Sequence, residues 1–293
     1  MLRLRSTCAF LLVLGLLLAA CADRSDDAPA TDVYLATIAM EGGVVRLTEE
    51  PVNITRRAGY DNQPHFTPGG EALLYTAIRD GQADTYRYDL VEGTTRQVTD
   101  TPESEYSPTP RGEGFSVVRV ERDGRQRLWQ FAEDGSALQV LLPDIEPVGY
   151  HVWATPDRVA LFVLGDPPTL QRADVGTAAD TLARNIGTSL QVVPGRPGVV
   201  SFVQHTSDFT AEVRLLDART RAITSVVETL PGGDAHAWTP DGLLLMARGS
   251  TLYQYDPARG GDWRPAADLA PLRDVTRLAV SPKGDRLALV AAE

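Results

Sequence analysis

Tyr60, Asp61 and Asn62; Glu103, Glu105 and Tyr106; Tyr150 and His151; Thr188 and Ser189; Asp234 and His236; and Thr276 with Arg277 each stand just ahead of a recurring proline-centred turn. Arg79, Arg119 with Glu121, His205 and Arg248 close the apolar runs that follow several of those turns. Brought to one place, the carboxylates Asp61, Glu103, Glu105 and Asp234 would be hard oxygen donors suited to Ca²⁺. His151, His205 and His236 would suit a transition metal instead. The same groups could equally line a polar, water-filled pocket for a small ligand or a peptide tail. They are spread along the whole chain, and no pair has the close spacing of a local ligand motif, so the residues by themselves predict neither a metal nor a cofactor. Catalytic motifs are missing too: there is no nucleophile elbow, phosphate loop, His-Glu-x-x-His helix or Ca²⁺ loop, and Gly187-Thr188-Ser189 does not fit the elbow. Whatever these residues do depends on a fold that gathers them.

The turns describe that fold. Gln63-Pro64-His65-Phe66-Thr67-Pro68-Gly69-Gly70 runs directly into Ala72-Leu73-Leu74-Tyr75-Thr76, a strand, a tight reversal and a second strand. Proline presets φ and glycine permits positive φ, which is what a reversal between two short apolar runs requires. Weaker copies contain Pro110, Pro156, Pro194, Pro240 and Pro282, so that successive anchoring prolines lie 42, 46, 38, 46 and 42 residues apart. A period of this length marks a repeat architecture.

Each copy supplies four strands. In the first, strand A ends at Phe66, B covers residues 72–77, C 84–89 and D 95–99, with Asp80-Gly81 and Glu92-Gly93 at the turns. The second follows with B at residues 115–120, C at 127–131 and D at 138–142. Strand C recurs at 169–173, 212–217 and 251–256. The last copy has only Arg277 to Val280 and Arg286 to Val290 before the chain ends. Its missing pair stands at the other end of the sequence, as Asp32 to Thr37 and Val44 to Thr48. An open ring would leave unpaired sheet edges, so these N-terminal strands are expected to close it, giving an all-β, six-bladed propeller over residues 32–293. Strand A of each blade is innermost, and the start of A and the end of B share one face. The residues named at the outset therefore ring the channel mouth, with His65 inside its strand. Phe66, Trp153 and Trp238, like Tyr86, Trp129 and Tyr253, occupy equivalent repeat positions and are expected to pack between blades.

Residues 1–20 read as a signal peptide, with Arg3 and Arg5 ahead of an apolar run too short to span a bilayer. Leu18-Ala19-Ala20-Cys21 resembles a bacterial lipobox, which implies cleavage before Cys21 and its lipidation. Residues 21–31 then form a solvated tether, and the mature chain has no free thiol. The resemblance implies a bacterial envelope protein held in the membrane by lipid, and Ala22 after the lipidated cysteine favours the outer membrane, facing the periplasm. That address argues against use of the glycosylation triplet Asn53-Ile54-Thr55. Beyond the signal there are 26 Lys and Arg against 39 Asp and Glu, a net charge of −13 that disfavours nucleic acid as a partner.

The turn pattern of proline, any residue, aromatic, Ser or Thr, Pro, Asp and Gly followed by an apolar strand resembles the TolB-type, WD-like propeller repeat across about residues 32 to 293. The resemblance implies the six-bladed fold and leaves function open, since such propellers serve binding, assembly and substrate access. The expectation is a non-catalytic, lipid-anchored propeller that binds an envelope protein or peptide at its mouth. Tyr60, Asp61, Asn62, Glu103, Glu105, Tyr106, Arg119, Glu121, Tyr150, His151, His205, Asp234, His236, Arg248 and Arg277 form the candidate surface. A metal-dependent lactonase or lyase, and a small-molecule or glycan binder, are the alternatives.

Overall fold

The computed structural model describes residues 28–292; the expected signal peptide, Cys21 and most of the expected tether lie outside the described residues. Twenty-five strands form six antiparallel sheets, and no helix occurs among the described residues. Blades 1 to 5 follow one another along the chain. Their innermost strands are Asp61–Phe66, Ser104–Arg111, Val148–Thr155, Ile186–Val192 and Ala237–Trp238. Each of these packs on its neighbours, and Arg277–Val280 of blade 6 completes the round against both blade 5 and blade 1.

Burial is deepest in the second strand of a blade and lowest in the outermost. The second strand of blade 1, Ala72–Arg79, is flanked by sheet and covered by neighbouring blades, and six of its residues in succession are buried. The outer strand Thr94–Gln97 is exposed throughout, which is why it carries polar residues with no apolar alternation. Packing between blades makes the core: Phe162, Phe202, Val200 and Leu216 join blades 3 and 4, while Ile38, Val45, Leu245, Leu252 and Leu289 join blades 5 and 6. Phe66 and Trp238 are buried in such clusters, whereas Trp153, Trp129 and Tyr253 are partly buried against them.

Two junctions carry the same polar brace. Trp153 Nε1 donates to Ser116 Oγ at 2.8 Å across blades 2 and 3, and Ser116 Oγ lies 2.7 Å from His151 Nε2. Trp238, Ser201 and His236 repeat it across blades 4 and 5, at 2.8 and 2.7 Å. Replacing Ser201 by Ala orphans two buried partners at once and is expected to destabilise the protein by about 2–4 kcal/mol in urea unfolding. The exposed Ser225→Ala control should change stability by less than about 0.5 kcal/mol. Equal effects would show that the brace is not a stabilising unit.

The ring closes through the termini. Thr31–Glu41 pairs antiparallel with Arg286–Ala292 in continuous register from Thr31↔Ala292 to Thr37↔Arg286. The expected strand at Val44 to Thr48 is shorter, Val44–Leu47, and a further piece, Val52–Asn53, pairs with the same strap. Pro51, which has no N–H to give a ladder, stands between the two pieces and explains the interruption. In blade 2 the reversal falls two residues beyond the expected place: Pro110 pairs with Phe115 inside the sheet, and Gly112 at φ 59° makes the turn. Asn53 of the glycosylation triplet donates from Nδ2 to Asp32 at 2.7 Å, and Thr55 Oγ1 donates to the same carboxylate at 2.6 Å. Blade 1 repeats the arrangement with Gln97, Thr99 and Asp84, so the triplet is part of the blade plan.

Candidate functional site

The channel begins on the face where the chain enters blade 6. A cavity of about 730 Å³ lies there, and six of the candidate residues line it: Tyr60, Asn62, Tyr150, Asp234, Arg248 and Arg277. It narrows to a passage of about 70 Å³ bordered by His65, Ser107, His151, Ser189 and Gln191, with Tyr150 and Arg277 shared between the two. Beyond is a third cavity of about 360 Å³, lined by Phe66, Trp238, Pro194, Pro240 and Pro282 near the A–B turns.

The innermost strands reach this mouth through local distortions. The pairing register shifts between Asn62 and His65, and again between Tyr106 and Thr109. Gln63 and Ser107 take φ of 58° and 53° at these bulges. A bulge re-aims side chains and tightens strand twist. Gln63 Oε1 then accepts from Thr76 Oγ1 at 2.9 Å and from the Ser107 N–H at 2.7 Å, tying blade 1 to blade 2. Gln63 lies within the first repeat, and its amide side chain carries no catalytic signature by which sequence could single it out.

The start of the strap forms part of the rim. Pro29, Ala30 and Thr31 line the cavity. The Thr31 N–H donates to the Gly59 carbonyl at 2.9 Å, its hydroxyl to the Asp61 carbonyl at 3.1 Å, and Asn62 Nδ2 donates to that hydroxyl at 3.3 Å. Asp234 is seated on the opposite side by Thr188, whose N–H and hydroxyl donate to Oδ2 at 3.1 and 3.2 Å. His205 Nε2 faces Oδ1 of the same carboxylate at 3.4 Å. Gly187 permits the approach, since a Cβ there would lie 1.8 Å from Asp234 Oδ1.

Other candidates do not line the mouth cavity. Asp61 is fully buried beside Arg57, at 3.2 Å, and burial lifts its carboxyl to about 6 against the pull of Arg57 and Arg79. Glu105 is also fully buried; desolvation pushes it up to about 7, opposed by the hydrogen bond from Thr101 and by Arg119. Arg119 is claimed by Glu103 and Glu105, and Glu121 by Arg127 and the Trp129 N–H. Tyr106 is mostly enclosed, with its hydroxyl raised by burial. His151 and His236 are held near their serines, and desolvation lowers both to about 3, so they are neutral. His65 is lowered by burial to about 4.

Arg277 is the partly buried arginine that lines the mouth cavity. Its guanidinium carbon lies 4.6 Å from the centroid of the Tyr150 ring, and no carboxylate among the described residues pairs with it. Tyr60 is close to both, its hydroxyl held protonated by burial and by Tyr150, with Arg277 opposing. The mouth therefore presents one enclosed cation with no carboxylate partner, on an aromatic shelf beside a neutral phenol, with the exposed Arg248 at its rim.

No protein-family profile matches this sequence, and no curated protein matches it. Solved structures do share its fold. A putative TolB from Agrobacterium tumefaciens aligns at a TM-score of 0.69 and 12% identity, over 91% of this chain and 99% of that one. TolB from Acinetobacter baumannii aligns at 0.56 and 14% identity, over 90% of this chain but 65% of the other. An oligogalacturonate lyase in complex with manganese aligns at 0.59 and 15% identity, over 83% of this chain and 80% of that one. At such identities the likeness establishes a TolB-like six-bladed propeller fold. The residues here do not fit a manganese centre: no group of three or more His, Cys, Asp or Glu among the described residues is placed to hold a metal ion, and the four histidines do not converge.

Proposed function

We propose that this chain is a lipid-anchored, non-catalytic propeller of the bacterial cell envelope that holds a protein or peptide in the mouth of its channel. The observation that carries the reading is the mouth cavity itself. At about 730 Å³ it falls in the range of ligand sites, it combines apolar walls with a few polar groups, and one of those groups is a cation with no partner of its own. The TolB-like fold fits an envelope role, and the repeat geometry gives every blade a side chain near the axis.

The strap adds an orientation. Thr31 is pinned to the rim, so a tether running back to Cys21 leaves from the mouth face. Ten residues at roughly 3.3 Å each place that face no more than about 33 Å from the lipid anchor. The bound partner therefore lies between the propeller and the membrane, or beside it.

Photo-crosslinking in cells followed by pull-down tests the reading. A crosslinkable residue at Thr276 should capture an envelope protein or peptide. Capture should fall about tenfold or more when Tyr150→Ala and Arg248→Ala are combined, because aromatic and arginine contacts dominate such interfaces. Recovery no greater than that of a control carrying only the anchor would sink the proposal.

A further inference from the structure

We propose that the mouth recognises the free C-terminal carboxylate of a peptide, with Arg277 as the residue that grips it. The proposal deepens the reading above and rests on the mouth being the binding face.

The chain has 39 acidic against 28 basic residues, so an enclosed arginine has ample opportunity to find a partner. Many do: Arg57 takes Asp61, Arg127 takes Glu121, Arg172 takes Asp174 and Arg214 takes Glu212, while Arg79 and Arg111 stack on Tyr86 and Trp153 away from the mouth cavity. Arg277 takes none, although Asp234 lines the same cavity. That carboxylate is engaged by Thr188 and His205 instead. A half-buried guanidinium left with its donors unused is matched to an anion from outside the chain.

Stacking prepares it for that role. The guanidinium carbon stands over the Tyr150 ring, 4.6 Å from its centroid, and a guanidinium stacked on a ring keeps its N–H edges for a bidentate contact. The supply of charge is modest: one enclosed cation and the neutral hydroxyl of Tyr60, with Arg248 exposed on the rim. One guanidinium balances a carboxylate, whereas a phosphate dianion would remain undercompensated. A sugar acid is disfavoured because sugars are held by stacking on an open aromatic face, and Arg277 covers the Tyr150 face in question.

Shape points to the end of a chain and away from an acidic side chain in its middle. Arg277 lies where about 730 Å³ contracts to about 70 Å³. A peptide entering the mouth has room for several residues and then none, so its last atoms meet the guanidinium.

The test uses the propeller chain and two pools of N-acetylated random hexapeptides, one ending in free carboxylates and one in amides. Ultrafiltration and mass spectrometry read what is retained. The wild-type protein should retain the acid pool about tenfold better than the amide pool, as expected for a charge-assisted bidentate contact. Arg277→Gln should erase the preference, and Arg277→Lys should keep part of it. Thermal melting of both variants should match wild type, because no ion pair is broken. Equal retention of the two pools overturns the carboxylate while leaving peptide binding in place. A preference that survives Arg277→Gln overturns the assignment to this residue. Retention of neither pool overturns the proposal, and the crosslinking experiment then decides separately whether a partner occupies the mouth. In a third arm, oligogalacturonides retained in place of peptides would move the site to acidic glycans and overturn it as well.

Discussion

A chain lacking Asp32 to Thr48 is expected to give no cooperatively melting protein. The deletion strips the strap from Arg286–Ala292 along the whole register from Asp32 to Thr37 and bares that strand's edge. It also removes Val33, Ala36, Ile38 and Val45, all buried, from the seams on either side of blade 6. Burial of these side chains stabilises the fold by on the order of 6 kcal/mol before any hydrogen bond is counted. A whole domain is stable by only about 5–15 kcal/mol. The seam to blade 5 is lost as well, where Gln254 accepts the Val45 N–H at 2.8 Å and Arg46 Nη1 reaches the Ala266 carbonyl at 2.8 Å. Circular dichroism melts and size exclusion check the outcome. A circular permutant supplies the control, opened after Glu49 and joined from Ala292 to Thr31 by a short loop of about two to four residues. Thr31 and Ala292 are register partners, so that loop only restores the hairpin connection that the other blades already have. The permutant should melt near wild type, and a cooperative melt from the deletion would contradict closure by the strap.

Acid should destabilise the protein well before its carboxylates are neutralised, with a slope set chiefly by five buried groups, to which Asp84, raised by burial, adds in the sense of the acids. His65, His151 and His236 have folded values of about 4, 3 and 3 against an ordinary 6.5. Each is neutral when folded and takes up a proton on unfolding once the pH drops below 6.5, so stability falls as pH falls. Asp61 and Glu105 act in the opposite sense. Their folded values of about 6 and 7 exceed the ordinary 3.8 and 4.5, so they release a proton on unfolding in the intervening range and favour the fold at lower pH. Between about pH 4.5 and 6 the three histidines outweigh the two acids by roughly one proton, and stability should fall by about 1.4 kcal/mol per pH unit. Glu105→Gln removes one opposing group. The variant should be more stable than wild type at pH 7.5, little changed at pH 4, and nearly twice as steep between. Urea unfolding from pH 4 to 8 measures all three. An unchanged slope in Glu105→Gln would mean that Glu105 titrates as an ordinary carboxylate.

Much of the fold was legible because it is written in local chemistry. Proline and glycine at the turns, and apolar runs between them, constrain backbone geometry wherever they occur. Strand Arg277–Val280 appears where it was expected, most others differ by a residue or two at their ends, and the strand expected at Asp32 to Thr37 runs on to Glu41. The departures trace to particular residues. Pro110 is inside its sheet because Gly112 supplies the reversal, and Pro51 splits the fourth strand of blade 6.

The mouth was legible only as a list of neighbours. Strand order placed Tyr60, Asp61 and Asn62 together, yet alternation along a strand and the bulges at Gln63 and Ser107 decide where each side chain points. Tyr60 and Asn62 line the cavity while Asp61 between them is buried under Arg57. No sequence signal distinguished Arg277 from Arg119. The difference is that Arg119 has Glu103 and Glu105 beside it, while the carboxylate in the cavity of Arg277 is held by Thr188 and His205. The six-bladed ring and its closure by the N-terminal strap follow from the order of turns and strands alone, because those depend on residues adjacent in the chain. Which candidate is buried, which is paired and which stands free at the mouth was decided by the packing of one blade on the next, because partners up to 46 residues apart compete for the same charges.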